Sequence, residues 1–159
     1  MAKLTVIDPV EYILDGEFEK IRAPGRTIVD VENVLTAIEQ YRIDYVEPGL
    51  AVGELNDGFL IIPTEDGEQV VEEERDPAFM IIDIYWDSES RAICGTIIIL
   101  DTEDGDKIKK AIDQGIECFM SASQTDSYET MDNATGRTLY RISNIKGYKI
   151  SLFDFHNKT

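Results

Sequence analysis

"AFMIIDIYW" (78–86) and "RAICGTIIIL" (91–100) are the two runs on which the fold turns. Ile, Tyr and Trp favour extended backbone, and runs this continuously apolar suit central strands. The polar tetrapeptide "DSES" (87–90) between them supplies a turn. Residues 78–100 are therefore predicted to form two paired central strands.

In the C-terminal direction, "DTEDGDKIKKAIDQG" (101–115) predicts a short helix with acids in its first turn, lysines after them and Gly115 as its stop. Its opening resembles a calcium loop. However, the glycine falls one place early and Ile112 stands where a bidentate glutamate belongs, so no calcium is expected. "IECFMSA" (116–122) predicts a strand and "SQTDSYETMDNATG" (123–136) a polar loop. "TLYRISNI" (138–145) and "YKISLFDF" (148–155) predict a closing hairpin across "KG".

In the N-terminal direction, "TEDGEQVVEEERDP" (64–77) is an acidic segment that suits a solvated loop or β-ribbon. "LAVGEL" (50–55) and "FLIIP" (59–63) flank "NDG" (56–58), a tight-hairpin signal because Asn, Asp and Gly tolerate positive φ. "EPG" (47–49) breaks the chain before them. "VDVENVLTAIEQYR" (29–42) predicts an amphipathic helix with Asp30 as N-cap and Val31, Val34, Leu35 and Ile38 at helical spacing. "EYILDGEFEKI" (11–21) predicts a strand, bulged at Gly16. The sum is about eight strands and two helices, an α+β, mostly antiparallel β-barrel or sandwich with the helices packed on it.

The chain has 159 residues, 43% of them apolar and 9% aromatic, enough for one domain with its own core. No run approaches the roughly 18 apolar residues of a membrane helix. "MAKLTVIDPVEY" (1–12) lacks the apolar run of a signal peptide, so a cytoplasmic protein is expected. The net charge of −17, from 32 acidic and 15 basic residues, argues against nucleic acid as a partner, because phosphate contacts need Lys and Arg. It suits solubility and repulsion between copies, a partner with a basic face, or an acidic mimic of nucleic acid. Cys94 and Cys118 sit in apolar runs and are expected to be buried, reduced thiols. No metal site and no cofactor is expected, since ligands at metal spacing are lacking.

In this order the elements resemble the prohead core proteases of tailed bacteriophages, especially those of T-even-type phages. That family is related in fold to the herpesvirus assemblin proteases. Four stretches carry the resemblance: "YILDGEFEKI" (12–21) with the helix after it, "AVGELND" (51–57), the long block 76–123, and "GYKISLFDF" (147–155). Together they span most of the chain, as a single prohead-protease-like domain with an acidic insertion at 64–77.

Active members use a serine nucleophile, a histidine base and a residue that orients the base. The resemblance places the nucleophile at Ser121 or its neighbour, where the family pattern is close to Gly-Val-Ser-Ser-Arg-Gly and this chain reads Phe119-Met120-Ser121-Ala122-Ser123-Gln124. The flanking glycines and the arginine are missing, and with them geometry for an oxyanion hole worth roughly 3 kcal/mol. The orienting position falls on Asp154, which is kept, and the base position falls on Asp57, which is changed. A carboxylate with an ordinary pKa of about 4 is a weak base for a serine proton. The only histidine, His156, follows Asp154 by two residues, so on a strand Ile150, Leu152, Asp154 and His156 would share a face. His156 is thus a candidate displaced base. Each of these residues also has a plain reading: Ser121 as a small polar strand residue, Asp57 as a turn residue, His156 as a solvated side chain near the end of the sequence.

The resemblance implies a non-catalytic phage protein with three vestigial triad positions, Asp57, Ser121 and Asp154. As a structural component of capsid assembly it would bind head-assembly proteins, or copies of itself, in the host cytoplasm and in the virion. The alternatives are a regulator or inhibitor of the active prohead protease, and an active serine protease with a rearranged Ser121/His156/Asp154 site.

Overall fold

The computed structural model describes residues 2–56, 60–64, 67–71, 76–122 and 125–153, the side chains of 60–71 and 122 excepted. Seven strands close into a barrel: β1 (Ala2–Asp8), β2 (Ile13–Lys20), β4 (Val52–Leu55), β7 (Phe79–Asp87), β8 (Ala92–Ile99), β9 (Glu117–Ala122) and β12 (Tyr148–Phe153). Their order around the barrel is β1-β2-β8-β7-β4-β12-β9. Every neighbouring pair is antiparallel except β12 with β4. A second sheet joins β10 (Thr125–Asp132), β11 (Arg137–Ile145) and the two-residue β3 (Ile28–Val29). β5 (Leu60–Thr64) and β6 (Gly67–Val71) form a separate ribbon. Helix α1 (Val31–Tyr41) continues into a π-helical turn (Arg42–Val46), and α2 (Glu103–Asp113) follows β8.

The barrel interior is filled from alternate positions. Phe79, Ile81 and Ile84 of β7 and Ile93, Ile97 and Ile99 of β8 are buried, with a register break in β7 between Ile81 and Asp83 that keeps Ile84 inside. Leu14 and Phe18 of β2, Met120 of β9, and Tyr148 and Ile150 of β12 complete the core. Each such side chain contributes about 1.5–3 kcal/mol by leaving water. α1 adds Val34, Ile38 and Tyr41 to this core. α2 adds Ile108 and lies against β4, β8 and β9.

The β7–β8 hairpin, β9, α2 and the stop at Gly115 (φ 78°) stand as the sequence predicts. Asp30 caps α1, accepting a hydrogen bond from the Asn33 N–H (3.2 Å). It also pairs with Arg141 Nε of β11 at 2.8 Å, which ties the cap to the second sheet.

Other expectations are corrected. The described residues form twelve strands rather than about eight. β4 does not pair with β5 across "NDG": it pairs with β7 and β12, and β5 pairs with β6. Turn residues signal tolerated backbone angles, not which strands then pair. β11 and β12 do not form a hairpin across "KG", because β11 pairs with β10 and β3 while β12 enters the barrel. Most of the expected 123–136 loop is strand β10, whose polar residues are extended through pairing with β11 rather than by burying a face. The helical face is turned: Val31 and Leu35 are 36% and 48% exposed, and Tyr41 is buried instead. The bulge of β2 lies between Glu17 and Glu19, not at Gly16. β1 is an added strand whose buried Ala2 and Leu4 alternate with exposed Lys3 and Thr5.

Candidate functional site

Ser121 lies near the end of β9, directly opposite Lys149 of β12. Cross-strand partners share a face of the sheet. Met120 and Ile150, the next pair, are buried in the barrel, so Ser121 and Lys149 project from its outer side. Ser151 and Phe119 form the next outward pair. Phe119 also meets Phe153 edge to face, with centroids 5.4 Å apart.

β4 brings "GELN" (53–56) to the same region by running parallel to β12, with Glu54 opposite Lys149 and Leu55 opposite Ile150. Gly53 is needed for this approach, because a Cβ there would lie 2.1 Å from the Phe79 ring and 2.5 Å from the Tyr148 carbonyl oxygen. Asn56 ends the strand. Its N–H donates to the Ile150 carbonyl at 2.8 Å, and its amide Nδ2 donates to Ser151 Oγ at 3.2 Å.

Asp57, Asp154 and His156 lie outside the described residues; of the candidate positions, Ser121 stands on β9 and Asn56 follows β4, the two strands that flank β12. The described even-numbered residues of β12, Tyr148, Ile150 and Leu152, are on the face opposite to that of Ser121. The expected common face of Ile150, Leu152, Asp154 and His156 is, over its described part, the barrel interior.

Beside Ser121 opens a cavity of about 510 Å³, lined by Phe18, Glu19, Lys20, Arg22 and Met120 among others. Glu19 is one of its carboxyls: burial raises its pKa, opposed by hydrogen bonds from Thr125 Oγ1 (3.1 Å) and Tyr148 OH (3.3 Å). No imidazole lines the cavity among the described residues.

Cys94 and Cys118 are free and buried, as expected. Burial pushes the Cys118 thiol up to about 11 and raises Cys94 as well, so neither supplies a thiolate. No group of three or more metal-ligating side chains occurs among the described residues.

The sequence reading missed Glu19, Lys20, Arg22 and Ser151. One signal for two of them was available: "KIRAPGR" (20–26) gathers three of the 15 basic residues into a single short stretch of an acidic chain.

No family model matches this chain, and no curated protein matches it. Among solved structures the fold is that of a phage capsid-assembly protease. One similar structure is the bacteriophage T4 capsid assembly protease, gp21, with a TM-score of 0.52, 16% identity, and coverage of 87% of this chain and 80% of that one. At this identity the likeness is one of fold.

Proposed function

We propose that this chain is a phage protein that keeps a capsid-assembly-protease fold without its catalysis, and that it serves head assembly as a structural component by binding other proteins. One observation carries the reading. Asn56 is bonded to β12 through its N–H and its amide, and the residue that follows it in sequence, where the resemblance expects the histidine base, is Asp57. A carboxylate cannot act as the imidazole does, and loss of a triad histidine costs about a millionfold in turnover. The likeness to a capsid assembly protease supports the assembly setting.

The test is intact-mass analysis after incubation with a fluorophosphonate probe, for the natural chain and for Asp57→His. No adduct on Ser121 is expected in the natural chain. Stoichiometric labelling of Ser121 that is lost in Ser121→Ala overturns the non-catalytic reading. The assembly role is tested separately, by quantifying the protein in purified proheads and mature heads, where a fixed copy number is expected and its absence from both overturns the structural role.

A further inference from the structure

The cations of this acidic chain are not spread evenly between paired and unpaired states. Lys3, Arg42, Lys107, Lys109, Arg141 and Lys146 each meet a carboxylate. Lys20, Arg22, Arg26, Arg91, Lys110 and Arg137 form no ion pair among the described residues, and all six are exposed. Lys20, Arg22 and Arg91 are also neighbours. The Ile21 N–H donates to the Arg91 carbonyl at 3.1 Å, which joins the end of β2 to the β7–β8 turn. In a chain with 32 acids and 15 bases, three of these unpaired cations gather in one place without a carboxylate beside them among the described residues.

Between the end of β2 and β3 lies an open cleft of about 490 Å³. Lys20, Arg22 and Arg91 stand around it, Ile21, Ile28 and Val29 add apolar surface, and no Asp or Glu lines it among the described residues. Ile21 and Val29 are buried and Ile28 is 39% exposed. β3 is the outer strand of its sheet, and an edge strand offers backbone donors and acceptors on the side away from its partner.

We infer that this cleft is a docking site for an extended, acidic peptide segment of another protein, with carboxylates on Lys20, Arg22 and Arg91 and small apolar side chains against Ile21, Ile28 and Val29. Three features select this occupant: the cations select negative charge, the apolar surface selects a ligand with hydrocarbon, and the edge strand selects extended backbone. Nucleic acid fits less well. A regular polyanion would run past the cleft onto a surface with twice as many acids as bases, whereas a peptide need be acidic only where the cleft is basic. The inference goes beyond the assembly role and does not depend on it.

The test is fluorescence anisotropy at about 0.15 M salt, where the Debye length is about 8 Å, with three labelled probes: a short peptide alternating Glu and Val, its counterpart with Lys for Glu, and a single-stranded oligonucleotide. Selective binding of the acidic peptide is expected. The Arg22→Glu/Arg91→Glu double variant is expected to weaken it by about tenfold or more, as removal of paired charges does at interfaces. Lys110→Glu/Arg137→Glu makes the same change in net charge at cations outside the cleft and is expected to stay within about twofold, since distant exposed charges are screened. Circular dichroism and urea midpoints verify folding. If the Arg91 variant is misfolded, Lys20→Gln/Arg22→Gln takes its place with the same expectation. No binding of the acidic peptide, tighter binding of the oligonucleotide, or equal losses in the two double variants would each overturn the proposal.

Discussion

The ends of β4 and β2 meet the outside of the same barrel in opposite ways. At the end of β4 the polar groups are spent on each other: Asn56 bonds to the Ile150 carbonyl and to Ser151. At the end of β2 they are not, and Lys20 and Arg22 reach solvent beside Arg91 without a carboxylate partner among the described residues. A patch whose hydrogen bonds close internally holds the fold, and substitutions there should appear as lost stability. A patch left open costs little to alter, and substitutions there should appear as lost binding. The serine side of this barrel is the closed one.

The largest effect that would sharpen this contrast is at Gly53. The Gly53→Ala methyl must enter space held by the Phe79 ring and by the Tyr148 backbone, and a backbone atom cannot step aside as a flexible side chain can. Phe79 is itself fully buried. A loss of about 3 kcal/mol is expected, from overpacking and separation of β4 from β12. Urea denaturation followed by circular dichroism measures it. A loss no larger than that of an exposed substitution would mean that β4 is not held against the barrel in this way.

How much of this was legible in the sequence depends on the distance over which each interaction acts. The β7–β8 hairpin and α2 were legible because their determinants are local: apolar runs around "DSES", and Thr102 accepting from the Gly105 N–H at the helix start. The partner of β4 was not. "NDG" suggests a hairpin at short range, yet β4 is paired with Lys149 and Ile150, far along the chain. β10 was hidden for a different reason: its residues are largely exposed, so it carries no alternation of apolar and polar positions to read. Of the candidate site, Ser121 could be placed on a strand from sequence. The residues around it could not, because Glu19, Lys20 and Arg22 reach the Ser121 cavity only once β2 and β9 flank β1.

A smaller effect tests the closure itself. Asn56→Ala removes the amide donor to Ser151 Oγ and leaves the backbone bond to Ile150. A loss of about 0.5–1 kcal/mol is expected, the usual net worth of one partly exposed hydrogen bond. Combined with Ser151→Ala in a double-mutant cycle, most of that loss should be shared between the two residues rather than added. Fully additive losses would mean that the two side chains do not act on each other, and the Ser121 side would then be no more closed than the β2 side.

The smallest effect is at Glu19, which separates the two patches: it lines the Ser121 cavity and precedes Lys20 in sequence. Its bonds nevertheless go to Thr125 and Tyr148. Burial raises its folded pKa, so the folded state holds the Glu19 proton more readily than the unfolded chain does. The sign of the pH effect follows. The contribution of this group to stability is fully present below the unfolded carboxylate value of about 4.3 and is lost as pH rises through the folded value. A glutamine has the same shape, accepts the same two hydrogen bonds and has no charge to bury. Glu19→Gln is therefore expected to be more stable than the natural protein at neutral pH, with the advantage shrinking as pH falls into the carboxylate range. Urea midpoints of both proteins across that range measure the difference. An advantage independent of pH would show that packing, not charge burial, sets the cost at Glu19. An advantage that appears only at acid pH would show that Lys20 or Arg22 stabilises the carboxylate after all, and the cations of the β2 side would then be partly closed like those elsewhere in the chain.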